Sequence, residues 1–174
     1  ASHVKFEIVK DNAATPFKTS GKISIVTGHV SYSCTVNAGS EYKVRYKKIK
    51  GSAESEWSDY SANVATIPAT PSGITTIKAN SETSVYLEWG KVATADTYDL
   101  EYAIKKEYFD GSDQTTTQSG ITTTKYEKTG LESGQEYFFR VRSVNDQGSS
   151  AWSSIVSIII GKKPSPPTTW SSTT

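Results

Sequence analysis

The sequence predicts an all-β chain made of two consecutive β-sandwiches, the first of them truncated at its N-terminal side. Three observations carry this prediction. A segment around Tyr42 and Trp57 recurs around Tyr137 and Trp152 at a constant offset of 95 residues. Apolar and polar residues alternate at period two in short runs, while helical periodicity is scarce. Clusters of Gly, Asn, Asp and Ser separate the runs, as turns between antiparallel strands require.

The repeat is specific. Gly39-Ser40-Glu41-Tyr42-Lys43-Val44-Arg45 aligns with Gly134-Gln135-Glu136-Tyr137-Phe138-Phe139-Arg140, and Trp57-Ser58 aligns with Trp152-Ser153. An offset of 95 residues exceeds the repeats of helical solenoids and fits one whole small domain. The 174 residues therefore divide into a unit at 1–68 and a unit at 69–163. Residues 164–174 form a Pro/Thr/Ser-rich linker or the start of a further module.

In the second unit the runs predict seven strands. The first lies near Ile74 to Ala79 and the second at Val85 to Trp89, where Val85, Leu87 and Trp89 alternate with Tyr86 and Glu88. The third, Tyr98 to Ile104, turns Tyr98, Leu100 and Tyr102 one way and Asp99 and Glu101 the other. A weak fourth lies near Thr115 to Gln118. The fifth, Thr122 to Lys128, has Thr124 and Tyr126 as its sensible inward pair. The sixth is Glu136 to Val144 and the last Ala151 to Ile160.

Pro71 opens this unit, Trp89 ends its second strand, and Leu131-x-x-Gly134-x-x-Tyr137 precedes Arg140-Val141-Arg142. In these features the sequence resembles a fibronectin type III domain, an immunoglobulin-like β-sandwich. The resemblance implies a tyrosine corner, in which the Tyr137 hydroxyl ties the sixth strand to the loop before it. It implies nothing about activity, since such sandwiches host many unrelated functions.

The first unit matches the later part of that pattern. Val4, Phe6 and Ile8 correspond to Tyr98, Leu100 and Tyr102. Val30, Tyr32, Cys34 and Val36 suit the fifth strand, with Cys34 facing in, and Tyr42, Val44 and Tyr46 suit the sixth. Lys48 stands where Ser143 stands in the second unit, which predicts a solvated strand end. Nothing corresponds to the first two strands or to Trp89. The expectation is an interior fragment of a longer array whose first unit leaves one apolar face open.

Composition narrows the chemistry. Lys and Arg number 19 against 18 Asp and Glu, which leaves no electrostatic footprint for nucleic acid or an anionic membrane. No run reaches the roughly 20 apolar residues a spanning helix needs. Cys34 is the only cysteine, so an internal disulfide and a multi-cysteine metal site are excluded. The two histidines, His3 and His29, lie near no nucleophile elbow. Asp110-Gly111-Ser112-Asp113 has calcium-ligand chemistry but lacks the full ligand set, so it reads as a turn. Glu54, Glu56 and Asp59 read as solvated carboxylates around Trp57. The expectation is no enzyme, no cofactor and no metal.

Exposed aromatics supply the one candidate binding surface: Tyr108 and Phe109 after the third strand, and Phe138 facing outward between Glu136 and Arg140. The run Ile155 to Ile160 is apolar on both faces and predicts an outer face covered by a neighbouring module. Short Pro-containing connectors such as Pro68-Ala69-Thr70-Pro71 limit hinge freedom. The functional expectation is a non-catalytic spacer and interaction module of an extracellular or virion protein. Its Ser/Thr/Tyr-rich composition and its lack of Asn-x-Ser/Thr acceptors and of disulfides resemble bacterial and phage repeats, and the segment Pro164 to Thr174 is similar to those joining such repeats in phage tail proteins. Its partners would be neighbouring modules of the parent chain, a cell-surface glycan or protein receptor, and further copies in a homo-oligomer. The alternatives are a carbohydrate- or protein-binding module, or accessory domains of a secreted polysaccharide hydrolase.

Overall fold

The computed structural model describes residues 1–111 and 113–161, so the Pro-rich segment 164–174 lies outside the described residues. Period-two alternation produces strands throughout. The N-terminal sheet contains β1 (His3–Lys10), β2 (Lys18–Thr19), β3 (Ile23–Ser24), β4 (Glu41–Lys50), β5 (Ala53–Glu54) and β6 (Val64–Ala65). Its spine is the antiparallel β1–β4 pair, registered as Val4↔Lys48, Phe6↔Tyr46 and Ile8↔Val44. Here β2 and β3 pair with β1, while β5 and β6 pair with β4.

The C-terminal unit contains β7 (Ile74–Ser81), β8 (Ser84–Trp89), β9 (Thr97–Ala103), β10 (Thr116–Ile121), β11 (Lys125–Lys128), β12 (Glu136–Asn145), β13 (Gly148–Ser149) and β14 (Val156–Ile159). These form two sheets. One runs β10-β9-β12-β13 with β14 also on β12, and the other runs β11-β8-β7. Between them lie Val85, Leu87 and Trp89 of β8, Leu100 of β9, and Phe139 and Val141 of β12, all buried. Trp89 meets Tyr98 edge-on at 5.6 Å between ring centroids, the favoured aromatic geometry. Thr124 and Tyr126 turn inward and Lys125 and Glu127 outward, as the alternation predicts.

The tyrosine corner forms as the resemblance implies, and its geometry occurs in both halves. The Tyr137 hydroxyl accepts a hydrogen bond from the Glu132 N–H at 3.0 Å, and the Tyr42 hydroxyl accepts one from the Asn37 N–H at 2.9 Å. Gly134 (φ +83°) and Gly39 (φ +70°) make the turns. Both lie in the left-handed region that only glycine adopts freely. A Cβ on Gly39 would also meet the Ala69 Cβ at 2.8 Å, so this turn is packed against the connector.

The structure departs from the sequence reading at the last strand of the C-terminal unit. The last strand is shorter than Ala151 to Ile160, because Ser150 and Ser153 hold the chain by hydroxyl contacts described below and only Val156–Ile159 pairs as strand. The apolar run there is not uniform: Ile160 is fully buried, while Ile159 is 62 % exposed and points outward. No neighbouring element among the described residues covers it.

The N-terminal sheet, in turn, has no covering sheet among the described residues. Val30 to Val36 keeps its alternation, with Val30, Tyr32 and Cys34 half-buried and Ser31 and Ser33 exposed, yet it pairs with nothing. In the C-terminal unit the corresponding strand, β11, finds its partner in β8. The effect on side chains is direct. Val36, Val44 and Tyr46 are 41 %, 38 % and 42 % exposed, whereas Leu131, Phe139 and Val141 at the offset positions are 4 %, 0 % and 0 % exposed.

Candidate functional site: the outer face and the junction

The outer face of each large sheet carries a brace of stacked cations and aromatics. It begins with a three-residue serine spacing. Ser55, Ser58 and Ser61 donate their N–H groups to the carbonyls of Lys48, Tyr46 and Val44 at 2.9, 2.8 and 2.8 Å. In return their Oγ atoms accept the N–H groups of the same three residues at 2.9, 3.1 and 3.0 Å. Each hydroxyl also donates to the carbonyl of the following residue. The hydroxyls satisfy strand amides that would otherwise lie at an unpaired edge.

This spacing places Trp57 and Tyr60 over β4. The Arg45 guanidinium sits 5.0 Å from the Trp57 ring and 4.6 Å from the Tyr60 ring, and Lys47 lies 5.0 Å from Trp57. Glu7, nearly buried on β1, accepts from Arg45 Nε at 2.7 Å and from the Tyr60 hydroxyl at 2.9 Å. Burial and then the bond to Glu7 raise the Tyr60 hydroxyl above the usual phenol range. Lys47 also pairs with Glu54, whose carboxyl is lowered chiefly by that hydrogen bond.

The C-terminal unit repeats the brace. Ser150 and Ser153 exchange the same pair of bonds with Ser143 and Val141. Trp152 stacks on Arg140 at 4.9 Å and on Arg142 at 4.5 Å. Glu101 accepts from Arg140 at 2.5 Å, and Asp99 accepts from Arg142 at 2.9 Å. Sequence alternation placed Asp99 and Glu101 on a polar face. The structure buries both beneath the arginines and Trp152. Cation–π contacts of this kind contribute about 0.5–2 kcal/mol each, more as water is excluded. The carboxylates of this face are committed to arginine, so the arrangement stiffens the sheet and offers no acid–base pair.

The predicted aromatic surface separates into unlike parts. Phe109 is buried rather than exposed, at 6 %. The 3-10 turn Lys106–Asp110, closed by Gly111 at φ +99°, folds its ring under Arg140 at 4.7 Å. Tyr108 is half-buried, with Lys105 5.6 Å from its ring. Phe138 is half-buried on β12 between Ala103 and Ser157. Phe138 and Tyr108 therefore do not combine with Phe109 into one flat platform.

Among the described residues no three His, Cys, Asp or Glu side chains gather as metal ligands. Of the Asp110 to Asp113 turn, Ser112 lies outside the described residues. His3 bonds Ser2 at 2.9 Å, and His29 sits in a bridge with Val26. Cys34 is free and half-buried on the open inner face. No helix among the described residues is long and apolar enough to cross a membrane.

Sequence reading predicted a stiff connector between the units but not the side chains that hold it. Pro68 is fully buried. The Ser143 hydroxyl donates to the Ala69 carbonyl at 2.5 Å. The Asn145 amide donates to the Thr66 carbonyl at 2.9 Å and to the Thr94 carbonyl at 3.0 Å. On the other side Gly39 N–H donates to the Ile67 carbonyl at 2.8 Å, and the Thr66 hydroxyl donates to Asn37 and Ser40 carbonyls. The connector is thus held from both units. A cleft beside it is lined by Glu41, Asn63, Thr94, Asp96 and Asp146. The sequence sign was the connector Pro68-Ala69-Thr70-Pro71, which predicts limited hinge freedom but does not identify the side chains that hold it.

Comparison with known proteins places these features. The fibronectin type III domain profile matches residues 69–159. Among solved structures, the chain is similar to an Fn3-like protein from Clostridium thermocellum at 24 % identity. That match covers 58 % of this chain and 100 % of the other, with a TM-score of 0.46. It is also similar to the FN5 domain of Drosophila Lar at 14 % identity, covering 56 % of this chain and 100 % of that domain, with a TM-score of 0.45. The matched span includes both sheets of the C-terminal sandwich, the tyrosine corner and the Trp152 brace, and the chain belongs to the fibronectin type III family.

Proposed function

We propose that this chain is a non-catalytic spacer and interaction module of a larger multi-domain protein, of the phage tail or bacterial surface kind. In this reading residues 1–68 and 69–163 are two copies of one module, the first lacking the counterpart of β7–β8, and the parent works outside the cell or on the virion. Its partners are neighbouring modules and, through the parent, further copies of the chain.

The observation that carries the proposal is the clamped junction. A spacer must transmit position, so the connector between its blocks must not swing. Here Asn145 and Ser143 grip the connector carbonyls from the C-terminal unit, while Gly39 and Thr66 hold it from the N-terminal unit. Buried Pro68 fixes one backbone angle between them. The braced outer faces support the same reading, since they spend charged groups on stiffness. Small-angle X-ray scattering of the wild type and of the Ser143→Ala/Asn145→Ala variant tests it. The wild type should scatter as one rigid particle, and the variant should show a broader distribution of dimensions. A wild type already as broad as the variant would refute the spacer reading.

A further inference from the structure

We infer that β10 is the surface on which two copies of this chain meet, pairing edge to edge as antiparallel strands about a two-fold axis. This names a partner within the spacer reading, yet it involves the C-terminal unit alone, so its failure would leave the clamped junction untouched.

The ground is a contrast between edges. A strand edge exposes unpaired N–H and C=O groups that template another strand, and folds guard it with charge, proline, bulges, shortness or cover. Other edges here are guarded. Ser55, Ser58 and Ser61 cap β4, and Ser150 and Ser153 cap β12, through their hydroxyls. In β11 three of the four positions are charged, Lys125, Glu127 and Lys128. The strand β7 carries Lys78 and shifts register between Ile74 and Thr76 and between Ala79 and Ser81. The strand β14 spans only four residues and packs beside β7.

Most of β10 lacks such guards. Among the described residues its sheet neighbour is β9 alone, and residues 116–120 are all exposed. Positions 114–124 contain no charged residue and no proline. The irregularity lies at the far end, where Gly120 (φ +75°) sits in the register shift between Gln118 and Ile121. Thr116, Thr117 and Gln118 stay in regular register with Tyr102, Glu101 and Leu100. The Gln118 amide donates to the Ser119 carbonyl at 3.4 Å, a long bond that a partner strand can replace.

A second copy suits this edge. Its hydroxyl and amide side chains set no charge against their own mates, and Thr–Thr cross-strand pairs are favourable. The two ends are unlike: segment 104–113 carries two lysines and three acids, and segment 122–128 carries two lysines and one glutamate. Antiparallel pairing therefore sets the more acidic end of each copy against the more basic end of the other, whereas parallel pairing sets like against like. A two-fold on Thr117 or Gln118 joins both β10-β9-β12 sheets into one. About 20 Å of strand by about 10 Å of depth buries roughly 200 Å² on each copy, well below the roughly 800 Å² per partner of a stable interface. The contact is therefore weak between free chains and effective where a parent holds copies close together.

Amide NMR spectra of the full chain, recorded from about 20 µM to about 1 mM, test this. We expect concentration-dependent shifts at the amides of 116–119, with a dissociation constant of roughly 0.1–1 mM. Gln118→Lys places like charges beside the two-fold and should weaken association about fivefold or more, as should Gln118→Glu, while an equimolar mixture of the two should restore it. Both variants should melt with the wild type by circular dichroism, since Gln118 is exposed. If either does not, Ser119→Lys and Ser119→Glu take their place. No concentration dependence up to about 1 mM overturns the proposal, as does association that both variants retain. Loss in both variants without restoration in the mixture overturns the two-fold pairing. Shifts confined to β14 would move the contact to the exposed Ile159 and overturn it too. A wild type that stays monomeric yet binds a synthetic peptide copying 114–120 would give the edge to a foreign strand and overturn the second copy as its occupant.

Discussion

Truncating the same strand position in the two halves should have unequal effects. Phe139 is fully buried, with Tyr102 and Tyr137 at 6.0 and 6.4 Å between ring centroids. Phe139→Ala removes a core ring from a close-packed interior, and such changes cost about 3–5 kcal/mol. Val44, at the offset position, is 38 % exposed. Full burial of a valine contributes about 1.5–3 kcal/mol, and Ala retains part of that, so Val44→Ala should cost less than about 1 kcal/mol. The assay is urea unfolding combined with hydrogen exchange of residues 41–50 and 136–145, which resolves the two units. Phe139→Ala should collapse protection of β9 and β12 and leave β1 and β4 almost unchanged. Equal losses for the two substitutions would refute the reasoning, since Val44 would then have to be covered.

Three further outcomes are expected. Tyr137→Phe and Tyr42→Phe each delete one corner hydrogen bond and should cost about 0.5–1.5 kcal/mol, read as a shift in urea midpoint with an unchanged slope. Ile160→Lys should unfold the C-terminal unit, because it places an ammonium in the core, whereas Ile159→Lys should leave its melting temperature within a degree or two of wild type. Burial, followed by the bond to Glu7, raises Tyr60 in the folded state. Its stabilising contribution is therefore complete below the unfolded phenol value near 10 and is lost as pH rises through the higher folded value. The N-terminal unit should lose stability in that alkaline window by circular dichroism, and Tyr60→Phe should flatten that part of the profile.

Much of this architecture was legible because its causes are local. Alternation at Val85, Leu87 and Trp89 needs only a half-buried strand, and Leu131-x-x-Gly134-x-x-Tyr137 encodes its hydrogen bond within a few residues. Val30 to Val36 shows the limit of that logic. Alternation sets which way each side chain turns, but a strand also needs a neighbour to bond, and none is present among the described residues. Phe109 was misread because one 3-10 turn reverses its direction, which no periodicity records. Ile159 and Ile160 look alike in sequence and differ only by the pleat. The junction was least legible: the contacts of Ser143 and Asn145 with the connector span 74 and 79 residues, and each residue reads locally as polar surface. The Trp-Ser repeat was visible as a pattern, but its purpose was not. Only the fold brings Ser55 and Ser58 to β4, and Ser150 and Ser153 to β12.

The central proposal is that a clamped connector makes the N-terminal sheet and the C-terminal sandwich one rigid spacer. Residual dipolar couplings of backbone amides in β1 and β4, and separately in β9 and β12, test it most directly. The account predicts that a single alignment tensor fits both sets in the wild type, and that two different tensors are needed after Ser143→Ala/Asn145→Ala. Two different tensors in the wild type would show units that reorient independently, and would contradict it.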